Sequence, residues 1–265
     1  MSEESNSVVR PGQPQQSLHL LYHELRDGSE YSYVCETTIF ERHIDLIVRL
    51  RKTQNSDLRP EVTFDDGHIS NYEFALPILQ SWGIVARFFI TVGWTGKRSG
   101  FMGWRELRSL HDSGQLIGAH GWSHTLLTNC TQEDLDRELS GARLMLEDKL
   151  GTSITTMSLP GGRYNQRVLA ACRQAGYTQI FTSVPRAEPI PPGFLVGRLN
   201  VRGDMTLDKL RKVLEPGNRT LARLERQYRI KATAKTLMGD WLYDKVWALL
   251  NRKEPDSGDG WGYAE

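Results

Sequence analysis

Three short segments combine residue types that can do chemistry. Thr63-Phe64-Asp65-Asp66-Gly67-His68 sets two carboxylates side by side ahead of a glycine. Adjacent carboxylates raise each other's pKa unless a cation lies beside them. A divalent ion satisfies one and leaves the other available as a base. Gly67 permits a sharp turn there, although Asp and Gly are equally the residues of an ordinary surface turn. In His120-Gly121-Trp122-Ser123-His124 the two imidazoles are four residues apart, on one side of a helical turn, where both can face one ion. Neutral imidazole is the commonest nitrogen ligand for zinc and similar metals; two half-exposed histidines in a polar loop would read the same way. Ser158-Leu159-Pro160-Gly161-Gly162-Arg163-Tyr164-Asn165, taken alone, is a turn.

Each of these segments follows a run that reads as a β-strand. Apolar and β-branched stretches predict strands over 18–22, 61–64, 85–92, 116–119, 154–159, 179–182 and 194–199. Helical spacing fills the intervals. Phe40, Ile44, Ile47 and Leu50 mark a helix over 38–52, and others are predicted over 72–82 (late-starting or kinked at Pro77), 104–111, 131–150 and 167–175. Strands alternating with helices imply an α/β fold, a parallel sheet covered by helices, whose active site lies at the C-terminal ends of the strands.

The 265 residues carry 33 Lys+Arg against 32 Asp+Glu, with 39% hydrophobic and 25% charged residues. This is the composition of an ordinary globular chain long enough to bury a large core. The near-neutral balance argues against a nucleic-acid binder. The best apolar run, 83–96, is too short for a membrane span and contains Arg87. The opening residues are polar, with no apolar stretch of a secretory signal. Cys35, Cys130 and Cys172 form no CxxC pair and read as free thiols in a reducing compartment. A cytoplasmic protein is expected. Residues 1–16 and 254–265 read as flexible tails. Residues 216–253 form a basic helical extension, with nine Lys/Arg against three acids. Its apolar positions, among them Leu221, Leu224, Tyr228 and Trp241, suit a helix pair docked on the main domain; its basic face would also suit peripheral contact with an anionic membrane.

The Asp-Asp-Gly block, the histidine pair and the Pro-Gly turn, each at a strand end and in this order, resemble the polysaccharide deacetylase family, also called the NodB-homology or carbohydrate esterase 4 family. Leu21-Tyr22-His23 is similar to that family's first strand. The resemblance implies a distorted (β/α)7-type barrel over 17–215 that hydrolyses N-acetyl or O-acetyl groups on sugars. It makes Asp65 the catalytic base. Asp66, His120 and His124 become ligands of a divalent metal, Zn2+ first, with Co2+, Ni2+ or Mn2+ as alternatives. The Gly161 N–H would bind the tetrahedral oxyanion, since a backbone donor needs no particular side chain.

The departures from the family pattern are local. Gly121 stands where Ser or Thr often follows the first histidine. Ser158 stands where an arginine usually pairs with the catalytic Asp, and Arg163 is expected to take that part. The family's fourth motif has no counterpart in 180–186. Residues 196–201 lack the histidine that usually serves as general acid, which leaves the metal-bound water, Asp65 acting in return, or another residue such as His23. Trp94, Trp104 and Trp122 are candidates for a sugar-stacking wall, and His23, Trp122, Tyr164 and Arg198 for substrate contacts. The implied activity is removal of an acetyl group from an N-acetylated sugar or from a nucleotide- or lipid-linked glycan in envelope or exopolysaccharide synthesis. Its rivals are an amidase acting on cyclic imides or ureides and a degenerate glycan-binding barrel.

Overall fold

The computed structural model describes residues 16–28, 31–52, 58–215, 217 and 219–238. Strands β1 (Gln16–Tyr22), β2 (Glu24–Leu25) and β3 (Val34–Cys35) lead into helix α1 (Thr37–Lys52) and strand β4 (Leu58–Phe64). Helix α2 (Leu76–Ser81), β5 (Arg87–Ile90), α3 (Trp104–Asp112) and β6 (Leu116–Ala119) follow. Next come α4 (Gln132–Asp136), α5 (Ala142–Leu150), β7 (Thr156–Ser158), α6 (Gln166–Gln174) and β8 (Gln179–Phe181). The short strands β9 (Glu188–Pro189), β10 (Leu195–Val196) and β11 (Arg198–Asn200) precede α7 (Leu207–Leu214) and α8 (Thr220–Met238).

The main sheet runs β10-β8-β7-β6-β5-β4-β1-β11, with every pair in this path parallel. Its two edges, β10 and β11, are separated in sequence by Gly197 alone. Leu195 and Val196 pair with β8, then Arg198 to Asn200 pair with β1. One stretch of chain therefore serves both edges and brings the sheet almost round on itself. Counting β10–β11 as a single stave gives the seven staves of the (β/α)7-type barrel. The crossing needs glycine: a Cβ at Gly197 would lie 2.6 Å from the Val184 carbonyl oxygen. The single strand predicted over 194–199 is corrected accordingly. Hydrophobicity marks burial on both sides of the kink but not the change of partner.

Two further differences have physical causes. The helix predicted over 131–150 is interrupted by a π turn at Arg137–Gly141, and the one over 72–82 opens with a π turn at Asn71–Ala75. Pro77 then sits in the first turn of α2, where a missing N–H costs nothing. Most of the core lies between sheet and helices and includes Leu18, Leu20, Phe64, Phe88, Leu107, Leu146 and Val168. Phe89, Phe181 and Val196 form a separate cluster.

Among the described residues no helix is long and apolar enough to cross a membrane. Leu221 and Leu224 pack against the core, so this part of α8 uses its apolar stripe as a docked helix rather than offering it to lipid. Of the tails expected over 1–16 and 254–265 and the extension expected over 216–253, residues 1–15, 216, 218, 239–253 and 254–265 lie outside the described residues, while Gln16 belongs to β1.

Two histidines are buried in this frame away from the carboxylate pair. His43 on α1 bonds to the Tyr22 hydroxyl at 3.1 Å, and His19 on β1 to the Ser17 hydroxyl at 3.2 Å. Burial pushes His43 down to about 4. Burial, then the charges of Arg198 and Arg87, push His19 down to about 3. The unfolded chain takes up these protons below about pH 6.5, while the folded chain takes up neither until far lower. Stability is therefore complete above that pH and falls as pH drops from 6.5 towards 4, by ~1.4 kcal/mol per pH unit for each histidine. Urea unfolding at pH 7 and pH 5 checks this: the midpoint should fall clearly at pH 5, and an unchanged midpoint would contradict the burial of neutral imidazoles.

Candidate active site

The strand ends bring the sequence motifs together. Asp65 and Asp66 follow β4, and β1 beside it fixes their start through Asp65 N–H to Tyr22 C=O at 3.0 Å. The chain then turns sharply, with Gly67 N–H donating to Asp65 C=O at 2.9 Å. Asp66 has φ of 72° and His124 φ of 65°; among the described residues they are the non-glycine residues with left-handed backbone. Such a conformation costs energy and persists only where the surroundings enforce it. Here it belongs to two residues that aim donors at one point.

Asp66 Oδ1 lies 3.2 Å from His120 Nε2 and 3.3 Å from His124 Nε2. The three donor atoms all fall within 4.8 Å of one another. Two ligands at 2.0–2.1 Å from a tetrahedral ion are ~3.3 Å apart, so this spacing fits a zinc-sized cation. Among the described residues Asp66 Oδ1 is buried without a hydrogen-bond partner, which is what a ligand atom looks like when its partner is an ion. His120 is oriented from behind: its Nδ1 lies 2.9 Å from the Ser158 carbonyl oxygen. A proton on Nδ1 donated to that carbonyl leaves the Nε2 lone pair directed at the site. Burial alone would raise the Asp66 carboxyl; the imidazoles of His120 and His124 beside it outweigh burial and hold Asp66 well below the usual range. Burial lowers His120, but the negative charges of Asp65 and Asp66 beside it leave it raised overall.

Asp65 points elsewhere. Its carboxylate is gripped by Arg198, Nη1 to Oδ1 at 2.7 Å and Nη2 to Oδ2 at 2.8 Å. The Ser158 hydroxyl donates to Oδ2 at 2.8 Å and receives Arg198 Nη2 at 2.6 Å. Arg198 Nε donates to the Thr182 carbonyl at 3.0 Å, so a backbone acceptor completes its orientation. Burial would raise the Asp65 carboxyl, but Arg198 and then His120 hold it below its ordinary value. It is an ionised, oriented carboxylate beside the three converging donors.

This geometry corrects two expectations. The arginine on Asp65 is Arg198, not Arg163. Arg198 is also wholly buried, so it holds a carboxylate rather than facing substrate. The cause lies in strand periodicity. Val196 belongs to the cluster with Phe89 and Phe181, and Arg198, two residues on, points the same way, its guanidinium 5.3 Å from the Phe89 ring centre. The small side chain at Ser158 lets it reach Asp65. Arg163 ends the Pro160–Gly162 turn and is half-buried.

The remaining candidates divide. His23 follows β1, its ring edge-on to Tyr33 at 5.2 Å, with Nδ1 buried and without a hydrogen-bond partner. Burial lowers its pKa, while the Asp66 and Asp65 charges oppose that shift. Gly161 has φ of 62° and stands exposed at the turn after β7. Tyr164 is exposed beside it. Trp122 is committed to packing: a Cβ at Gly93 would touch its Cδ1 at 3.1 Å, a Cβ at Gly141 would lie 3.8 Å from its Cε3, and Arg137 lies over the ring at 5.3 Å. Trp104 is likewise half-buried against the core. Trp94 lies next to a donor, its ring centre 5.1 Å from that of His124.

In the sequence Glu138 is one acid in a helical run, with nothing to set it apart from its neighbours. It is buried, and its carboxylate accepts from Trp122 N–H at 2.7 Å, from Ser123 N–H at 3.0 Å and from the Ser123 hydroxyl at 2.6 Å.

Comparison with known proteins bears on the fold and the family. Residues 55–180 match the family model described as polysaccharide deacetylase. YxkH of Bacillus subtilis, whose name provisionally places it among the polysaccharide deacetylases, is 24% identical over 202 residues, covering 70% of this chain and 71% of the relative. Chitin deacetylase 1 of Cryptococcus neoformans is 29% identical over 119 residues, 45% of this chain but 24% of the relative. The Streptococcus pyogenes deacetylase PplD, solved in complex with acetate, superimposes with a TM-score of 0.69 at 18% identity, covering 77% of this chain and all (100%) of that one. At that identity the likeness shows the fold, a NodB-type barrel.

Proposed function

From the premise that residues 55–180 carry a polysaccharide deacetylase domain, we propose that the protein is a metal-dependent hydrolase that removes the acetyl group from an N-acetylated sugar. It is an enzyme acting on non-peptide C–N bonds, as the carbohydrate deacetylases named among its relatives are. One observation carries the mechanism: the Asp66, His120 and His124 donors converge beside a second carboxylate, Asp65, held by Arg198. The donor set suits zinc first, with cobalt, nickel or manganese as alternatives. A divalent cation held there would supply Lewis acidity and lower the pKa of water.

The chain's own residues supply the rest. Asp65 accepts the proton of the attacking water. Arg198 and Ser158 keep that carboxylate ionised and oriented before the reaction starts. The Gly161 N–H, exposed at the turn after β7, donates to the oxygen that gains negative charge. His23 hands a proton to the leaving amine, since among the described residues its buried Nδ1 has no hydrogen-bond partner. Tyr164 and Trp94 flank the site as substrate contacts. The substrate is an N-acetylhexosamine glycan, nucleotide- or lipid-linked in envelope or exopolysaccharide synthesis, and three free cysteines suit a reducing, cytoplasmic setting. Acetate release from N-acetylhexosamine oligomers and nucleotide sugars, with cyclic ureides as the competing substrate, tests the reading. Acetate from the sugars supports it; turnover of ureides alone would replace it.

The role of His23 has its own test. A general acid matters when the leaving group is a poor one. His23→Gln should cost about 10²-fold or more on the acetamide but much less on an aryl acetate, whose phenolate leaves without help. Equal losses on both substrates would remove His23 as the proton donor.

A further inference from the structure

Between the two histidines the chain wraps around a single carboxylate. Glu138 lies in the π turn Arg137–Gly141, which breaks an otherwise regular helix. It is 5% exposed. Among the described residues no Lys, Arg or His forms an ion pair with it, so its charge is met by hydrogen-bond donors. Those donors all come from Trp122 and Ser123: N–H of Trp122 at 2.7 Å, N–H of Ser123 at 3.0 and 3.2 Å to the two oxygens, and the Ser123 hydroxyl at 2.6 Å. Gly121 completes the fit. Its φ is 75°, and a Cβ there would lie 2.9 Å from Glu138 Oε2. The glycine that departs from the family pattern is thus what lets the carboxylate approach.

We propose that Glu138 is the positioning residue of the histidine pair: an anionic hub that draws the 121–123 loop into the shape placing His120 and His124 Nε2 on one cation. The inference rests on the metal reading of that site. Two features turn a packing detail into a positioning role. The bonded residues are the inner ones of the His-x-x-x-His segment, so loosening them moves a ligand directly. His124, next to Ser123, holds a left-handed backbone that an unanchored loop would relax. The π turn supplies the aim, because such one-residue insertions are found mostly where a helix must present a particular side chain.

Glu138→Gln keeps the shape but leaves one oxygen to accept where two accepted four bonds. Groups that orient metal ligands from behind typically change affinity by about 10- to 100-fold when lost. The measurement is Co2+ affinity by chelator competition on purified full-length protein, together with the visible d–d spectrum of the cobalt form. Glu138→Gln should bind Co2+ about 10- to 100-fold more weakly with an altered spectrum, and Ser123→Ala, which removes one donor, should move both in the same direction by less. Glu147→Gln is the structural comparison: Glu147 accepts from Ile154 N–H at 2.9 Å and from Arg143 at 3.1 Å, away from the loop. It should lower thermal stability and leave Co2+ affinity alone. If Glu138→Gln does not fold, Ser123→Ala carries the same readout. Wild-type affinity and spectrum in Glu138→Gln, or in Ser123→Ala where the former does not fold, would overturn the proposal. A wild-type protein that binds no Co2+ would overturn this proposal and the metal reading together, whereas tight wild-type binding with an insensitive Glu138 overturns the positioning role alone.

Discussion

Asp65→Asn should retain a full equivalent of divalent metal and lose about 10²–10⁴ of kcat/KM, the range expected when a positioned general base is removed. The separation of the two effects is built into the geometry. Asp66 turns its Oδ1 towards the histidines, 3.2 and 3.3 Å from their Nε2 atoms, whereas Asp65 places both oxygens on Arg198. The amide accepts hydrogen bonds but cannot take a proton from water. It also leaves the Arg198 charge buried without a counter-charge, so stability will fall, and turnover is to be compared per folded, metal-loaded molecule. Metal analysis beside acetate-release kinetics makes the comparison. Loss of metal together with activity would reassign Asp65 to the ligand set; near-wild-type turnover would remove it from the chemistry.

The second large effect belongs to Arg198. Arg198→Met removes three hydrogen bonds to Asp65 and Ser158 and strands a carboxylate that is 2% exposed. Breaking a buried ion pair from one side typically costs ~3–5 kcal/mol, because the remaining charge has no compensation. Arg163→Ala, by contrast, lies outside the grip on Asp65 and strands no buried carboxylate, so it should cost clearly less stability than Arg198→Met. Urea unfolding of the two variants gives the contrast, and acetate release should follow it, with Arg198→Met severely impaired. An Arg198→Met protein as stable as wild type, or an Arg163→Ala protein as damaged as expected for Arg198→Met, would contradict the assignment.

These two arginines show what was legible in the sequence. The strand pattern was readable from apolar runs and put the motifs at strand ends, but the assignment of Asp66, His120 and His124 to one metal rested on the resemblance to polysaccharide deacetylases, because each motif alone reads equally as a turn or a polar loop. Arg163 drew attention because it is near Ser158 in sequence. Arg198 is forty residues away, and its partnership depends on where the chain crosses from one sheet edge to the other at Gly197. That crossing leaves a faint signal: an arginine spaced by two from Val196 in an otherwise buried stretch. A charge at such a position must find a partner, and the unmatched buried carboxylate is Asp65. Glu138 left a weaker trace, since an acid in a helix is ordinarily solvated. Only the loop of Trp122 and Ser123, folded onto it, distinguishes it from its neighbours. Trp122, aromatic and inside a site motif, is half-buried and packs between the positions of Gly93 and Gly141.

The account depends most on one claim, that Asp66, His120 and His124 hold a cation without which the site cannot work. The direct measurement is a reconstitution titration: protein stripped by chelation, Zn2+ added in steps, and acetate release from an N-acetylhexosamine oligomer followed against zinc bound. Activity should rise linearly to one equivalent and then level off, while His120→Ala binds far more weakly and recovers little turnover. Stripped protein that releases acetate at the reconstituted rate, or a His120→Ala variant that titrates like wild type, would contradict it.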